Sequence, residues 1–146
     1  MEIMKRLSKD TFIALSWTWG IIMTLIGFIA TKFLNLLGYK TEPNIWGYRT
    51  KVGKGWGGVD LGLYCIVSED ASPRTCNHEF GHAIQNCIFG PLFPFIVAIP
   101  SACRYWHFTN ETKKGNADKL PDYDDAWFEG QATKLGNEYA QRTKDI

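Results

Sequence analysis

Apolar residues are concentrated in a few stretches, and the pattern within each one predicts a different element. Residues 11–31 hold no charged side chain. At about 1.5 Å per residue, a helix over them would span the roughly 30 Å hydrocarbon core of a bilayer. Residues 45–52 and 59–67 are rich in β-branched and aromatic side chains and flank the glycine-rich GKGWGG. That arrangement predicts a β-hairpin.

The first apolar stretch is interpreted as an uncleaved membrane anchor. A cleaved signal peptide is one alternative, but Phe28 stands where the cleavage site needs a small residue. A buried or interfacial helix is the other alternative. Lysines and arginines flank the stretch on both sides, so the positive-inside rule assigns no orientation.

A second apolar region has His82 as its only ionisable side chain, apart from thiols, over residues 80–103. Three prolines, Pro91, Pro94 and Pro100, would interrupt a regular helix there. We therefore expect a buried loop, an interfacial segment or a re-entrant piece that contacts the membrane or the N-terminal helix. Residues 104–125 are polar and are predicted to form a mobile loop.

Two helices are predicted in the rest of the chain from their end signals. Ser72 can cap a helix with Pro73 in its first turn, and Gly90 marks the end of that helix. Asp122 is the predicted N-cap of the last helix, with Asp124 and Asp125 in its first turn. The last helix is predicted to pack through an apolar stripe made of Phe128, Ala132, Leu135 and Tyr139.

Length and charge restrict the classes of function. The chain has 146 residues, which suits one modest core, and its 16 basic and 15 acidic residues leave a net charge of +1. With no large basic field, no nucleic-acid partner is expected. The four cysteines form no CxxC pair, so we interpret them as mostly reduced, buried thiols.

The chemistry is carried by the segment HEFGH, which begins at His78. On a helix, His78 and His82 are four residues apart, so both project from one face and can bind one metal ion. Glu79 follows the first histidine and points toward the same cleft. Two neutral imidazoles and a nearby carboxylate suit a zinc hydrolase, in which Glu79 is the general base for a water molecule.

Two histidines do not complete such a site, so a third ligand is required. Glu129 is the best candidate because it is predicted in mid-helix beside the apolar stripe, with small residues nearby. His107 is a weaker candidate because its surroundings are loop-like and aromatic. The remaining acids of the region are better explained as caps and surface charges; they are Asp122, Asp124, Asp125 and Glu138.

The segments HEFGH and WFEGQATKLG resemble the gluzincin metallopeptidases, whose third ligand is a glutamate on a second helix. The resemblance is closest to short bacterial membrane-associated HEFGH proteins and covers nearly the whole chain. It implies an α+β, minigluzincin-like fold with an N-terminal hydrophobic helix, a small hairpin or sheet, an HExxH helix and a C-terminal ligand helix. It also implies that His78, His82 and Glu129 bind Zn²⁺ and that Glu79 is the base.

One position departs from the gluzincin pattern. Thr133 stands where many members carry an acid that orients a ligand histidine, and a threonine raises imidazole basicity less than a carboxylate. The expected function is a membrane-associated zinc metallopeptidase that hydrolyses peptide bonds by a Glu79-activated zinc-bound water. The alternative is a weak or inactive membrane-anchored protein that uses the metal structurally or for partner binding.

Further expectations concern organisation and partners. Residues 1–40 are expected to form the anchor and residues 41–146 the metallopeptidase-like domain. The expected partners are a peptide or protein substrate and membrane lipid, the latter through residues 11–31 and, as a second candidate, 88–103. A bacterial membrane location is expected, with the side of the active site unassigned. Gluzincins also tend to present an edge strand beside the metal, and residues 59–67 are the candidate for it here. The developing oxyanion needs a donor besides the metal; the candidates are Tyr105, His107, Tyr123 and Tyr139.

Overall fold

The computed structural model describes residues 7–144 and confirms the α+β class. Over these residues the chain forms five α-helices and a four-stranded sheet. The helices are α1 (Lys9–Trp17), α2 (Ile21–Leu36), α3 (Pro73–Phe89), α4 (Ile99–Lys113) and α5 (Trp127–Lys144). The strands are β1 (Thr41–Pro43), β2 (Tyr48–Lys51), β3 (Gly58–Leu61) and β4 (Tyr64–Val67).

The sheet is mixed, with the strand order β1-β2-β4-β3. β1 pairs with β2 and β3 pairs with β4 in the antiparallel sense, whereas β2 and β4 are parallel, with Tyr48 opposite Tyr64. β3 therefore forms one edge of the sheet. This edge lies beside α3.

The predicted hairpin between residues 45–52 and 59–67 is wrong in its pairing. The second stretch folds on itself into the β3–β4 hairpin, and β2 then pairs in parallel with β4. The cause is local: Gly62 has φ +71°, which favours glycine, and the carboxylate of Asp60 accepts the Gly62 N–H at 3.1 Å. A tight turn thus interrupts what the apolar pattern presents as one strand.

α3 and α5 form the centre of the molecule, and small residues let their backbones approach closely. The predicted start of α3 is confirmed, because Ser72 caps it and accepts the Thr75 N–H at 3.2 Å. A methyl group added to Gly81 would overlap the carbonyl of Ala132, and one added to Gly136 would overlap the carbonyl of Asn77. The two helices are therefore held in a fixed register.

Residues 11–31 do not form the continuous helix that their composition predicts. α1 ends at Trp17 and α2 begins at Ile21, with an 88° bend between them. The corner is fixed because Asn86 of α3 donates a hydrogen bond to the carbonyl of Gly20 at 3.1 Å, in space that a side chain at Gly20 would fill. Phe12 of α1 is buried in the same core as Tyr139.

Within residues 7–144, no single helix has both the length and the apolar character to cross a membrane. Two bent pairs of helices reach that length and composition together. One is α1 with α2, and the other joins Pro73–Leu92 to Pro94–Lys113 with a bend of 120°.

The polar segment 104–125 was predicted as a loop, and that prediction is wrong for its first half. After a 3₁₀ turn (Gly90–Leu92) and a π-helical turn (Pro94–Ala98), α4 continues to Lys113. α4 has no buried residue along its length, so it lacks the continuous buried face by which most helices are recognised. Asp122 caps a 3₁₀ turn (Tyr123–Asp125) rather than the last helix, which begins later, at Trp127.

All four cysteines are described and are free, in agreement with the expectation of thiols without a disulfide framework. Cys65, Cys76 and Cys87 are buried, whereas Cys103 of α4 is exposed.

Candidate metal centre

Three predicted ligands meet where α3 crosses α5. The Nε2 atoms of His78 and His82 lie 3.0 Å and 3.2 Å from the same oxygen, Oε2 of Glu129. Together these side chains form a group close enough to hold a metal ion. Both spacings are near the roughly 3.3 Å expected between two ligands at about 2.0–2.1 Å from a tetrahedral zinc ion.

Gln85 determines which nitrogen of His82 faces Glu129. The Gln85 side-chain amide donates to the Phe128 carbonyl at 2.9 Å, and a carbonyl can only accept. The amide oxygen of Gln85 is therefore turned toward Nδ1 of His82, which donates to it at 2.7 Å. In the neutral imidazole Nε2 therefore carries no proton, and its lone pair faces the Glu129 carboxylate.

The corresponding partner of His78 is Thr133. The hydroxyl of Thr133 lies 2.8 Å from Nδ1 of His78, one turn beyond Glu129 on α5. Thr133 therefore contacts the ring nitrogen of His78 that faces away from Glu129. Both histidines of the group are thus oriented by uncharged side chains, a threonine and a glutamine, rather than by carboxylates.

Electrostatics in the cluster favour a positive charge between the ligands. Burial tends to raise the pKa of Glu129, but its hydrogen bonds with His78 and His82 outweigh this and hold the pKa well below its usual range. Burial would lower the pKa of His82, yet the hydrogen bond to Glu129 and the charge of Glu79 raise it to about 9. Without a metal ion, the cluster therefore holds a proton on His82.

The donor set fits a divalent cation. Oε1 of Glu129 is buried and has no hydrogen-bond partner among residues 7–144, although the Glu129 side chain is fully shielded from solvent. A buried carboxylate oxygen in that state is costly unless a cation or another donor satisfies it. Two imidazole nitrogens and one carboxylate are the ligand types of catalytic zinc sites, which keep a further position open. His78, His82 and Glu129 are thus the residues that would hold the ion.

Glu79 lies on the buried side of the cluster, beside β3. It is only 6% exposed, and burial raises its pKa, with the positive charge of His82 opposing that shift. A methyl group on Gly58 would come within 2.9 Å of the Glu79 side chain, so β3 passes directly over this carboxylate. The structure thereby places Glu79 between the predicted ligands and the edge strand.

Asp60 is a second buried acid near the cluster that the sequence did not single out. It is 6% exposed, and burial raises its pKa well above the usual range, with the charge of Glu79 adding to the effect. The only sequence signal was a polar residue within an otherwise apolar strand, and such a residue is equally common on a solvent-exposed face.

The cluster opens into a groove of about 940 Å³. The π-helical turn and α4 line one side through Ala98, Ser101, Ala102, Tyr105, Phe108, Thr109 and Thr112. β3 and the preceding glycine-rich loop line the opposite side. His78, His82 and Glu79 also line this groove, so these side chains face the space that a bound molecule would occupy.

Tyr123 is the candidate donor closest to the ligands. Its ring centroid is 6.5 Å from that of His78, and burial together with the charge of Glu129 raises its pKa, so the phenol keeps its proton. Arg104 of α4 holds this residue in place by donating to the carbonyls of Tyr123 and Asp122 at 3.0 and 2.8 Å. Its guanidinium also stacks on Phe108, 4.5 Å from the ring centroid.

The other candidates lie in different positions. Tyr105 lines the groove beside Gly57, whereas His107 is exposed on α4 and belongs to no group of potential metal ligands within the described part of the chain. Tyr139 is buried in the core, where its hydroxyl accepts the Leu7 N–H at 3.2 Å. Glu138, Asp122, Asp124 and Asp125 also lie outside the His78, His82 and Glu129 group.

Comparisons with protein-family models, with curated proteins and with solved structures find no match to this chain. The functional interpretation therefore depends on the geometry of the cluster and its groove.

Proposed function

We propose that the protein is a zinc-dependent peptidase. The observation that carries the proposal is one arrangement: His78, His82 and Glu129 form a ligand group, and the buried carboxylate of Glu79 lies beside it on the floor of an open groove. Zinc is proposed because two imidazoles and one carboxylate suit it better than they suit Mg²⁺ or Ca²⁺, which take mainly oxygen ligands.

Glu79 is proposed to transfer a proton from the attacking water to the leaving group. When bound at such a site, zinc supplies Lewis acidity that polarises a carbonyl and lowers the pKa of water. Glu79 would accept a proton from the attacking water and deliver it to the amine of the leaving peptide. Its burial supports this role, because burial raises the pKa of Glu79 toward neutral pH, and a carboxylate with a higher pKa is a stronger base.

The substrate proposed for the groove is an extended peptide. β3 is an edge strand, so the backbone groups along its outer side are available for pairing with another chain. A peptide added to this edge would have its carbonyl carbon near Glu79, because Gly58 lies directly against that side chain. Tyr123 would donate a hydrogen bond to the oxyanion that develops on the substrate carbonyl.

Glu79→Gln tests the proposal. The amide keeps the shape of the side chain but cannot accept the proton, so zinc content should stay at one ion per chain while peptide hydrolysis falls by about 10²–10⁴-fold. Glu138→Gln, the same change on α5 outside the ligand group, is the matched control and should keep both properties. Equal hydrolysis by the wild type and Glu79→Gln would overturn the role of Glu79.

A second function is favoured by one observation, the uncharged partners of both ligand histidines. Thr133 and Gln85 supply neutral hydrogen bonds, which suffice to orient the rings of a structural metal site. In that case the metal would link α3 to α5 and take no part in a reaction. One zinc ion per chain, with no hydrolysis of a broad peptide library by wild type or Glu79→Gln, would support this role.

A further inference from the structure

One side of α2 is apolar and exposed along the whole helix. Its outward side chains recur at spacings of three and four residues, and their exposure rises from 44% at Ile22 to 86% at Leu36. The opposite side is buried against β3 and β4. The outward stripe consists of Ile22, Leu25, Ile26, Ile29, Phe33 and Leu36.

A second exposed stripe lies on the turn between α3 and α4. Leu92, Phe95 and Ile99 are 57%, 70% and 54% exposed and are spaced three and four residues apart. The residues between them face inward, and Phe93 and Val97 are buried together with Met23 of α2 in one apolar cluster.

The two stripes meet at Trp19. Its indole N–H donates to the carbonyl of Ile88 at 3.2 Å, and its ring fills the space beside Gly90, where a side chain would overlap it. Trp19 is itself 49% exposed. The α2 stripe, Trp19 and the stripe of Leu92, Phe95 and Ile99 thus form one surface, which we term the apolar face.

The charges around the apolar face match those of an anionic membrane. No aspartate or glutamate occurs in residues 11–41 or in residues 80–110, the two segments that form the face. Lys32 lies at the edge of the α2 stripe, 5.4 Å from the ring of Phe28, and Lys40 follows the helix. Lysines and tryptophans at the border of an apolar stripe are typical of helices that lie in the headgroup region of a bilayer.

From this face we infer that the protein inserts α2 and the Leu92–Phe95–Ile99 stripe into one leaflet of an anionic membrane, with both segments lying in the interface. A helix with one apolar side and one side packed on a folded domain buries only the apolar side in lipid, to a depth of about 5–10 Å. The inference goes beyond the proposed peptidase activity and requires neither zinc nor hydrolysis.

Vesicle flotation of the full 146-residue chain tests the inference. We expect the protein to float with vesicles of phosphatidylglycerol and phosphatidylcholine, and about tenfold less with phosphatidylcholine alone. The double variant Phe33→Glu/Phe95→Glu should reduce binding to the anionic vesicles by about tenfold or more, because it places two charges in the lipid-facing stripes. Asn137→Glu/Gln141→Glu adds the same charge at exposed positions of α5 and should bind like wild type.

Two readouts keep the result decisive. Circular dichroism should show native helix content in both double variants, since all four positions are exposed. Amide hydrogen exchange should slow in α2 and residues 92–99 when anionic vesicles are added, while β1 and β2 stay unchanged. Wild-type protein that fails to float, or equal flotation of both double variants, would overturn the inference. A lipid-independent dimer that Phe33→Glu/Phe95→Glu dissociates, without vesicle binding, would instead identify the face as a self-association surface.

Discussion

The amide oxygen of Gln85 lies 2.7 Å from Nδ1 of His82 and so fixes which nitrogen His82 presents to Glu129. The Gln85 amide in turn donates to the Phe128 carbonyl and to the side chain of Gln131. Both residues belong to α5 and lie within two positions of Glu129. Packing of α3 on α5 therefore positions both Glu129 and the Gln85 side chain that orients His82.

Replacing Gln85 with methionine should weaken metal binding. Methionine has a similar length, but its thioether accepts the His82 N–H only weakly, so the tautomer and the ring orientation are no longer fixed, at a cost of about 10–100-fold in zinc affinity. Competition with a chromogenic chelator measures this affinity. Gln131→Met removes only a partner of Gln85 and should change the affinity by less than about threefold. Similar losses in both variants would contradict the role of Gln85.

Thr133 allows a prediction whose two variants change affinity in opposite directions. Thr133→Asp would give His78 a charged acceptor and strengthen zinc binding by about tenfold, because a carboxylate raises imidazole basicity more than a hydroxyl does. Thr133→Val keeps the shape, removes the acceptor and should weaken binding by about tenfold. Zinc titration of the two variants checks the order. Equal affinities would mean that the hydroxyl does not orient the ring.

Some features could be predicted from sequence because their signals are local. Ser72 and Pro73 begin α3, and HEFGH places two imidazoles on one face whatever the tertiary structure. Glu129 could be inferred as their partner because small residues beside it indicated a close helix contact. The long apolar run beginning at Thr11 indicated only hydrophobicity; the bend after Trp17 depends on Asn86, 69 residues farther along the chain.

Other features depend on contacts that no local pattern records. The parallel pairing of β2 with β4 follows from a turn at Gly62, within a stretch that looks like one strand. α4 has no buried face because its inner side lines a groove rather than a core. Gln85 lies within the helix of the motif, but its function depends on the Phe128 carbonyl of the facing segment.

The pH dependence of zinc binding should report the proton on His82. Without metal, the pKa of His82 is about 9, so zinc must displace this proton at neutral pH. Zinc affinity should therefore rise by about tenfold per pH unit from pH 7 to 8.5 and level off above about 9. The Glu129 carboxylate adds no slope, because its pKa is held far below this range. His107→Ala, which removes an exposed histidine, should give the same slope; a flat profile would contradict the assignment.

Protonation of His82 should also make the stability of the metal-free protein fall as pH rises, whereas zinc affinity rises with pH. The folded-state pKa of His82 lies above the ordinary value of 6.5, so its stabilising contribution is complete below pH 6.5 and is lost as pH rises through 9. Metal-free protein should accordingly lose roughly 3 kcal/mol of unfolding free energy between pH 6 and pH 9, at 1.36 kcal/mol per pKa unit. Urea denaturation in a chelator measures it, and excess zinc should remove the loss.

Close packing of α3 on α5 makes Gly81 sensitive to any side chain. Gly81→Ala would push the methyl group into the Ala132 carbonyl, separating the helices that carry the three ligands. We expect a loss of about 1–3 kcal/mol in unfolding free energy together with weaker zinc binding. At Gly57 the added methyl group would meet only Tyr105, at an ordinary 3.6 Å, so Gly57→Ala should unfold like wild type. Equal stability of the two variants would contradict the packing argument.

The groove and the apolar face share the elements that carry Met23, Phe93 and Val97, so the two proposals can be tested together. Met23, Phe93 and Val97 line one end of the groove, and the elements that carry them turn their outer sides to the apolar face. A membrane-bound protein would therefore hold the apolar end of its groove beside the lipid.

A peptide attached to anionic vesicles by a lipid anchor should be cleaved at least about tenfold faster than the same free peptide, because its effective concentration at the groove is higher. Phe33→Glu/Phe95→Glu should abolish this preference but still cleave the free peptide. Loss of cleavage of both peptides in Glu79→Gln would locate the chemistry in the groove, whereas equal wild-type rates on both peptides would separate the membrane surface from substrate selection.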